Sequence, residues 1–337
     1  MALDSFVLTC LDEKSNRTIP ERMYPYFFLT LDDPGTGTEQ GESGIHEILH
    51  DFAWYDTIGK AQARIDSDEN TKTTLESFIT RLISEVSDAG DDAAAVKSAA
   101  EQFIGRYMMK AIFDLDYADE QVATLQMLWQ SRQLAVGGLF EGNIPDNDWV
   151  GIKQLLDSTS ADIAASPALA DYESSEDNFN LSREEWANEL MYVAGIAALG
   201  GSRNLVNNLF SKMPSDYEID ATNHEEVANA VLEAGRIKAP VNNVNIILQE
   251  PTDFEIGGEA KTFPAGTVVA LSIGLGSMDE KVFPDPHTFD HTRNNLLSNV
   301  LTYNSVGFET GGPRVCPGKN IAFNMAMDVL KAWLQKE

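Results

Sequence analysis

The chain has 337 residues, 43% of them hydrophobic and 23% charged, a composition typical of a folded globular protein. Asp and Glu number 53 against 24 Lys and Arg, so the formal net charge is −29. This balance excludes nucleic acid and anionic membranes as expected partners, because both bind clustered cations. No run of about 18 uncharged apolar residues is present, so we expect no membrane span.

The cysteine content bears on the compartment. Cys10 and Cys316 are the two cysteines, too few for a disulfide framework, and the N-terminus has no basic leader. We therefore predict a cytoplasmic protein. The absence of repeats and of a low-complexity linker favours one large domain over 1–337, of which 1–70 is left without a structural assignment.

Helical spacing dominates the first two thirds of the chain. Residues 32–44 are rich in Gly and acidic residues and predict a loop. From there to about residue 240, apolar residues recur at helical spacing, as in 74–83 and 99–113. Capping boxes at Ser182–Glu185 and Thr222–Glu225 predict helices that run to about residues 201 and 238.

The pattern changes after Pro240. Residues 244–248 and 267–271 predict strands, and a last amphipathic helix is predicted over 318–335. The predicted fold class is therefore mainly α with a small β-sheet late in the chain.

Cys316 lies among Gly and Pro residues directly before that last helix. A thiolate there gains from the helix dipole and from free N–H donors, which lowers its pKa and suits it to bind a metal. Gly312 and Gly318 would let the backbone approach a flat ligand, and Arg314 could reach an anionic group beside it. A buried free cysteine in a turn is the alternative interpretation.

The pattern of Gly312, Arg314, Cys316 and Gly318 resembles the haem-binding loop of the cytochrome P-450 superfamily, Gly-x-Arg-x-Cys-x-Gly. The resemblance implies a P-450-like fold, shortened at both ends and best matched over 182–335. It implies that Cys316 is the axial ligand of the iron of haem b and that Arg314 pairs with a haem propionate. The family's phenylalanine is represented by Phe308, one residue further from the cysteine than usual.

Two further segments match the superfamily in the expected order. Glu233 and Arg236 are spaced so that their side chains can meet on one helix. Members carry Glu-x-x-Arg at this place, a buried pair completed by a later arginine, here Arg293. The resemblance thus implies a structural triad of these three residues.

The helix after Ser182 corresponds to the central helix of the superfamily, where oxygen-activating members hold an acid and an alcohol. Ala197 and Ala198 occupy those positions, and neither side chain can relay a proton. We therefore predict an enzyme driven by peroxide or by a fatty-acid hydroperoxide. The run that ends at Gly200 and Gly201 is similar to the allene oxide synthase and hydroperoxide lyase branch, although a kink or a helix end would also explain the two glycines.

Small and apolar residues predict where ligands lie. The resemblance places Ala194 and Gly195 against the haem. The predicted substrate pocket is apolar and suits an apolar small molecule; its residues are Ala197, Gly200, Pro240 and Val241.

Several alternatives stay open. The chain could be a conventional monooxygenase that uses dioxygen and a redox partner, although acidic partners need a basic docking face. It could bind haem without catalysis, as a scaffold or as part of a larger assembly or fusion. A zinc hydrolase is the third, because His46, Glu47 and His50 match His-Glu-x-x-His, with Glu69 as a candidate third ligand. A contact of His46 or His50 with a haem propionate is also open.

Overall fold

The computed structural model describes most of the chain in ten stretches. They are residues 9–11, 55–141, 149–169, 182–192, 198–214, 217–248, 250–256, 259–303, 305–309 and 315–335. The chain divides into two compact units, one of residues 18–203 and one of residues 1–17 with 204–337. That the whole chain forms one haem domain stays a prediction.

The described part of the unit of residues 18–203 is helical. Its helices are α1 (Tyr55–Ser67), α2 (Glu69–Ala89), α3 (Ala93–Phe113), α4 (Asp119–Glu141), α5 (Trp149–Ala165) and α6 (Arg183–Tyr192). Helix α7 (Leu199–Lys212) begins in this unit and continues into the other one. The two helices predicted around 74–83 and 99–113 are confirmed as parts of α2 and α3.

Side-chain caps and an apolar stripe explain helix α2. The Asp68 carboxylate accepts the N–H groups of Asn70 and Thr71 and satisfies donors that the first turn leaves free. Leu75, Ile79 and Leu82 recur on one face and are buried. Burial of each such side chain contributes about 1.5–3 kcal/mol relative to exposure.

The unit that contains residues 204–337 holds the described strands. Its helices are α8 (His224–Ile237), the short α9 (Ile273–Gly276) and α10 (Leu296–Asn299), and the long α11 (Lys319–Leu334). Its strands are β1 (Thr9–Leu11), β2 (Asn243–Ile247), β3 (Thr252–Ile256), β4 (Glu259–Phe263), β5 (Val268–Ser272), β6 (Leu301–Thr302) and β7 (Ser305–Val306). The prediction of a mainly helical chain with a small sheet is confirmed.

The strands form three small antiparallel sheets. Strand β5 lies in the centre of the first, with β1 on one side and β2 on the other. Strands β3 and β4 form a hairpin, and β6 and β7 form a second one with a two-residue connection. The predicted strands 244–248 and 267–271 are shifted by one residue relative to β2 and β5.

The predicted cap of helix α8 is wrong by one residue. Asn223, not Thr222, is the cap, and its side-chain oxygen accepts the N–H groups of Glu225 and Glu226. The Asn223 amide in turn donates to the Glu226 carboxylate. Thr222 instead donates its hydroxyl to Asp220 in the preceding turn.

No helix in the described stretches is long and apolar enough to cross a membrane.

Candidate functional site

Glu233 and Arg236 form a buried ion pair one turn apart on helix α8. The guanidinium donates from Nε to Glu233 Oε2 over 2.6 Å and from Nη2 to Oε1 over 2.8 Å. Arg236 also donates to the carbonyls of Ser277, at 3.0 Å, and Pro286, at 2.8 Å. Neither charged side chain is exposed, and this fork geometry is what allows both charges to be buried.

Arg293 completes the cluster. Its Nε donates to Glu233 Oε1 at 3.2 Å, and the main-chain N–H of Asp290 donates to the same oxygen at 2.9 Å. Arg293 further donates to the carbonyl of Pro284 at 2.6 Å. The structure thus brings together the three residues of the predicted triad, and together they tie helix α8 to the irregular segment 277–293.

Cys316 lies just before helix α11 and is a free, exposed cysteine. Its N–H donates to the Tyr303 carbonyl over 2.9 Å. The Gly318 N–H donates to the sulfur of Cys316, an interaction that favours the thiolate. The predicted ligand therefore stands at the start of the last helix, where its sulfur already accepts a main-chain hydrogen bond.

The pKa of the Cys316 thiol differs from the sequence expectation. Burial raises this pKa, while the Gly318 N–H and the Lys319 charge act in the opposite direction. The thiol can be reached by solvent, yet surrounding protein excludes most of the water that would stabilise a thiolate. The expected lowering by the helix N-terminus is thus outweighed by desolvation.

Phe308 packs against helix α11 close to Cys316. Its ring centroid lies 4.3 Å from that of Phe323 and 5.8 Å from that of Tyr303. Lys319 closes the group, because its ammonium donates to the Phe308 carbonyl at 2.9 Å and lies 5.2 Å from the Phe308 ring centre. Tyr303, Phe308 and Phe323 therefore form an aromatic cluster at the start of helix α11.

Two asparagines that the sequence analysis missed hold the segment after helix α8. The Asn204 amide donates to the Pro240 carbonyl at 2.8 Å, and the Asn208 amide donates to the Lys238 carbonyl at 2.7 Å. Val241, which follows, is 48% exposed. The backbone of one predicted pocket residue, Pro240, is thus bonded to helix α7, and the exposed Val241 follows it. The only signal was an Asn pair spaced by four residues.

Gly200 lies inside helix α7 and packs against Trp129. A Cβ atom at this position would lie 2.8 Å from the indole Nε1 of Trp129. Trp129 is also covered by Arg203, whose guanidinium carbon lies 3.8 Å from the ring centre and whose Nη1 donates to Glu101 at 2.9 Å. Gly200 is the second residue of helix α7, so it lies at a helix end as well as against the Trp129 ring, and its predicted place in a substrate pocket stays a prediction.

Ala198 has π-helical hydrogen bonding directly before helix α7, a feature that marks a kink.

The remaining predicted site residues lie outside the described stretches. They are Ala194, Gly195, Ala197, Gly312, Arg314, His46 and His50. Within the residues described, no cluster of His, Cys, Asp or Glu could hold a metal ion.

Residues 219–336 match the cytochrome P450 family model. Cytochrome P450 4A6 of Oryctolagus cuniculus is 35% identical over 94 residues, which span 28% of this chain but only 18% of that protein. A thermophilic cytochrome P450 from Sulfolobus tokodaii is similar with a TM-score of 0.63 at 20% identity, over 96% of this chain and 77% of that one. The structure of P450 RauA in complex with a biosynthetic intermediate of aurachin RE is similar with a TM-score of 0.61 at 19% identity. The similarity covers 88% of this chain and 69% of that one.

The fold is that of a cytochrome P450. The matched family segment contains the triad, Phe308, Cys316 and Gly318. These matches do not distinguish the branches of the cytochrome P450 superfamily.

The residues around Cys316 fit the haem that cytochrome P450 proteins bind. A Cβ atom added at Gly318 would meet only the Cys316 sulfur, at 3.9 Å, so the described protein leaves space beside the thiol. The thiol is free and exposed, and thiolate sulfur is an established ligand of haem iron. The donor and the space beside it therefore suit a flat, iron-containing ligand.

Proposed function

We propose that this chain is a haem-thiolate enzyme that binds haem b through Cys316 and acts on an apolar small molecule. One observation carries the proposal. An accessible thiol that accepts the Gly318 N–H lies in the same compact unit as the buried Glu233–Arg236–Arg293 cluster. Surface Glu–Arg pairs are common, but a fully buried pair with a third partner needs a structural reason.

Three residues would each have a different role at the haem. When bound, haem b supplies an iron whose thiolate ligand favours cleavage of an oxygen–oxygen bond. The Cys316 sulfur would bind the iron, and the Gly318 N–H would orient the sulfur by a hydrogen bond to its negative charge. Arg314 would pair with a propionate, which fixes the orientation of the ring.

Two alanines indicate which oxidant the enzyme would use. Ala197 and Ala198 carry methyl groups that can neither donate nor accept a proton. A hydroperoxide contains an oxygen–oxygen bond at the oxidation level of dioxygen that has already taken up two electrons. Transfer of one oxygen atom to the substrate leaves an alcohol, so the electrons balance without a reductase. We therefore propose a hydroperoxide as the oxidant, or as the substrate of a rearrangement like that of the allene oxide synthases.

The composition supports the same proposal. A negatively charged electron-transfer partner would meet a chain with a formal charge of −29. Association of two acidic surfaces is slow unless a local basic patch compensates. The apolar side chain of Val241, which follows the Pro240 carbonyl bonded to helix α7 and is exposed, favours an apolar ligand.

The test compares two supplies of oxidising equivalents on the haem-loaded protein. We expect anaerobic consumption of linoleic acid 13-hydroperoxide or cumene hydroperoxide, with loss of the activity in Cys316→Ser and retention in the matched Cys10→Ser variant. NADPH with a ferredoxin and its reductase should give no turnover. Turnover only with the reductase would overturn the proposal in favour of a monooxygenase.

Two other outcomes would also contradict the proposal. A haem-loaded protein that consumes neither oxidant would be a non-catalytic haem protein. One zinc per chain without haem would indicate the hydrolase. Conversely, the double variant Ala197→Asp with Ala198→Thr restores an acid and an alcohol, and we expect it to gain turnover driven by the reductase.

A further inference from the structure

Lys319 is the first residue of helix α11, and its side chain reaches back along the sequence past Cys316. The ammonium donates to the Phe308 carbonyl at 2.9 Å and lies 5.2 Å from the centre of the Phe308 ring. The main-chain N–H of Lys319 donates to the Cys316 carbonyl at 3.2 Å. This lysine therefore joins the two ends of segment 308–319, which contains the predicted haem ligand.

Helix α11 contacts the Phe308 ring through a second side chain. Phe323 follows Lys319 by four residues, a spacing that places both side chains on one face of the helix. The ring centroids of Phe323 and Phe308 are 4.3 Å apart. The Phe308 N–H also donates to the Leu297 carbonyl at 2.7 Å. Phe308 is thus an anchored residue to which Lys319 fastens the start of the helix.

A lysine at this position is unfavourable for the helix itself. The N-terminus of a helix carries a partial positive charge, so it favours acidic side chains and disfavours cations. The first turn of helix α11 has no acidic residue, and its N-cap, Gly318, supplies no side-chain hydrogen bond. Helix capping therefore does not explain Lys319, whereas the charged hydrogen bond to Phe308 and the contact with the ring do.

We propose that Lys319 is a positioning residue for Cys316: by binding the carbonyl and the ring of Phe308, it holds the two ends of segment 308–319 together and fixes the place from which the sulfur reaches the haem iron. This inference rests on the proposed function. Groups that hold a ligand residue in place contribute to metal binding although they do not touch the metal.

The first experiment uses the full chain purified without haem. Lys319→Met keeps most of the apolar stem and removes the ammonium, and Lys319→Arg restores a charged donor. The matched control is Lys331→Met on the same helix, where the ammonium lies 3.6 Å from the Asp328 carboxylate. Hydrogen exchange of residues 315–318 is read by mass spectrometry, because the Cys316 N–H is bonded to the Tyr303 carbonyl.

We expect this exchange to be at least about fivefold faster in Lys319→Met, because loss of the clamp opens the segment locally. Lys319→Arg and Lys331→Met should exchange like wild type, and residues 325–334 should exchange equally in all four proteins. An unchanged rate at 315–318 in Lys319→Met would overturn the inference. So would a general increase over the whole chain, because it would show that Lys319 contributes only to overall stability.

The second experiment measures haem retention by the haem-loaded proteins as the transfer of haem to excess apomyoglobin. Lys319→Met should lose haem about tenfold faster than wild type, and Lys319→Arg and Lys331→Met at the wild-type rate. Equal rates in Lys319→Met and wild type would overturn the role of Lys319 and leave the proposed function intact. A wild-type chain that binds no haem would contradict the proposed function, whereas the hydrogen exchange would still decide whether Lys319 holds the segment.

Discussion

Arg236 binds Glu233 through two hydrogen bonds, of 2.6 and 2.8 Å, and both side chains are completely buried. The same guanidinium donates to the carbonyls of Ser277 and Pro286, so it joins helix α8 to the irregular segment 277–293. Arg293 adds a further hydrogen bond to Glu233. This cluster lies in the same compact unit as Cys316.

Arg236→Ala tests the contribution of the cluster to stability. The change leaves the Glu233 carboxylate buried without its main partner, so we expect a loss of about 3–5 kcal/mol and no incorporation of haem. The control is Arg81→Ala, which removes ion pairs to Glu85 and Asp119 from a side chain that is 47% exposed. It should cost at most about 1 kcal/mol. Urea unfolding and the visible spectrum measure both effects, and equal losses would contradict the account.

Gly307→Ala tests the tight turn before Phe308. Gly307 has a φ of +81°, and a Cβ atom there would lie 2.8 Å from the Ser298 carbonyl oxygen. Gly266 has a similar φ of +85° but open space around it. Gly266→Ala should therefore cost only the backbone strain, about 1–2 kcal/mol, and Gly307→Ala clearly more. Similar urea midpoints for the two variants would show that the contact with Ser298 is unimportant.

Asn208→Ala tests the attachment of the segment after helix α8. The side chain is 1% exposed, and its amide donates to Lys238, so its loss should cost about 1 kcal/mol. Asn208→Asp should cost more stability, because a buried carboxylate, which can only accept hydrogen bonds, would then face the Lys238 carbonyl. The free energies of unfolding of wild type, Asn208→Ala and Asn208→Asp measure this order of stability. Asn208→Asp as stable as wild type would contradict the geometry.

The Asp119 carboxylate gives a prediction about stability in acidic solution. A hydrogen bond from Arg106, and another from Arg81, lower the pKa of the Asp119 carboxyl in the folded state. Its stabilising effect is therefore complete above about pH 4 and is lost as the pH falls through the lowered folded-state pKa. Wild type should be more stable than Asp119→Asn above pH 5, and this difference should shrink in more acidic solution.

The control for this measurement is Asp88→Asn, which removes the same charge from an exposed carboxylate at the end of helix α2. Its difference from wild type should change much less between pH 5 and pH 2. A stability difference for Asp119→Asn that stays constant over this range would show that the arginines do not act on Asp119.

The sequence was sufficient for features that depend on local pattern. The last helix was predicted over 318–335 and runs over Lys319–Leu334, because its apolar spacing is regular and Gly and Pro stand before it. The cap of helix α8 was misplaced because Thr222 and Asn223 are both good caps. The structure shows that the Asn223 oxygen, and not the Thr222 hydroxyl, accepts the free N–H groups of the first turn.

Long-range features could not be predicted. Strand β1 has three residues, too few for a recognisable alternation, yet it pairs with β5. Asn204 and Asn208 looked like the polar face of a helix, and their binding to the carbonyls of Pro240 and Lys238 depends on tertiary packing. The raised pKa of Cys316 likewise comes from surrounding protein that no local pattern reveals.

The carbon monoxide spectrum of the reduced, purified protein tests the central claim most directly. Wild type and Cys10→Ser should show the red-shifted band of a thiolate-bound haem, and Cys316→Ser should lose it. A protein that stays colourless after expression with ample haem precursor, or a red-shifted band that survives in Cys316→Ser, would contradict the account.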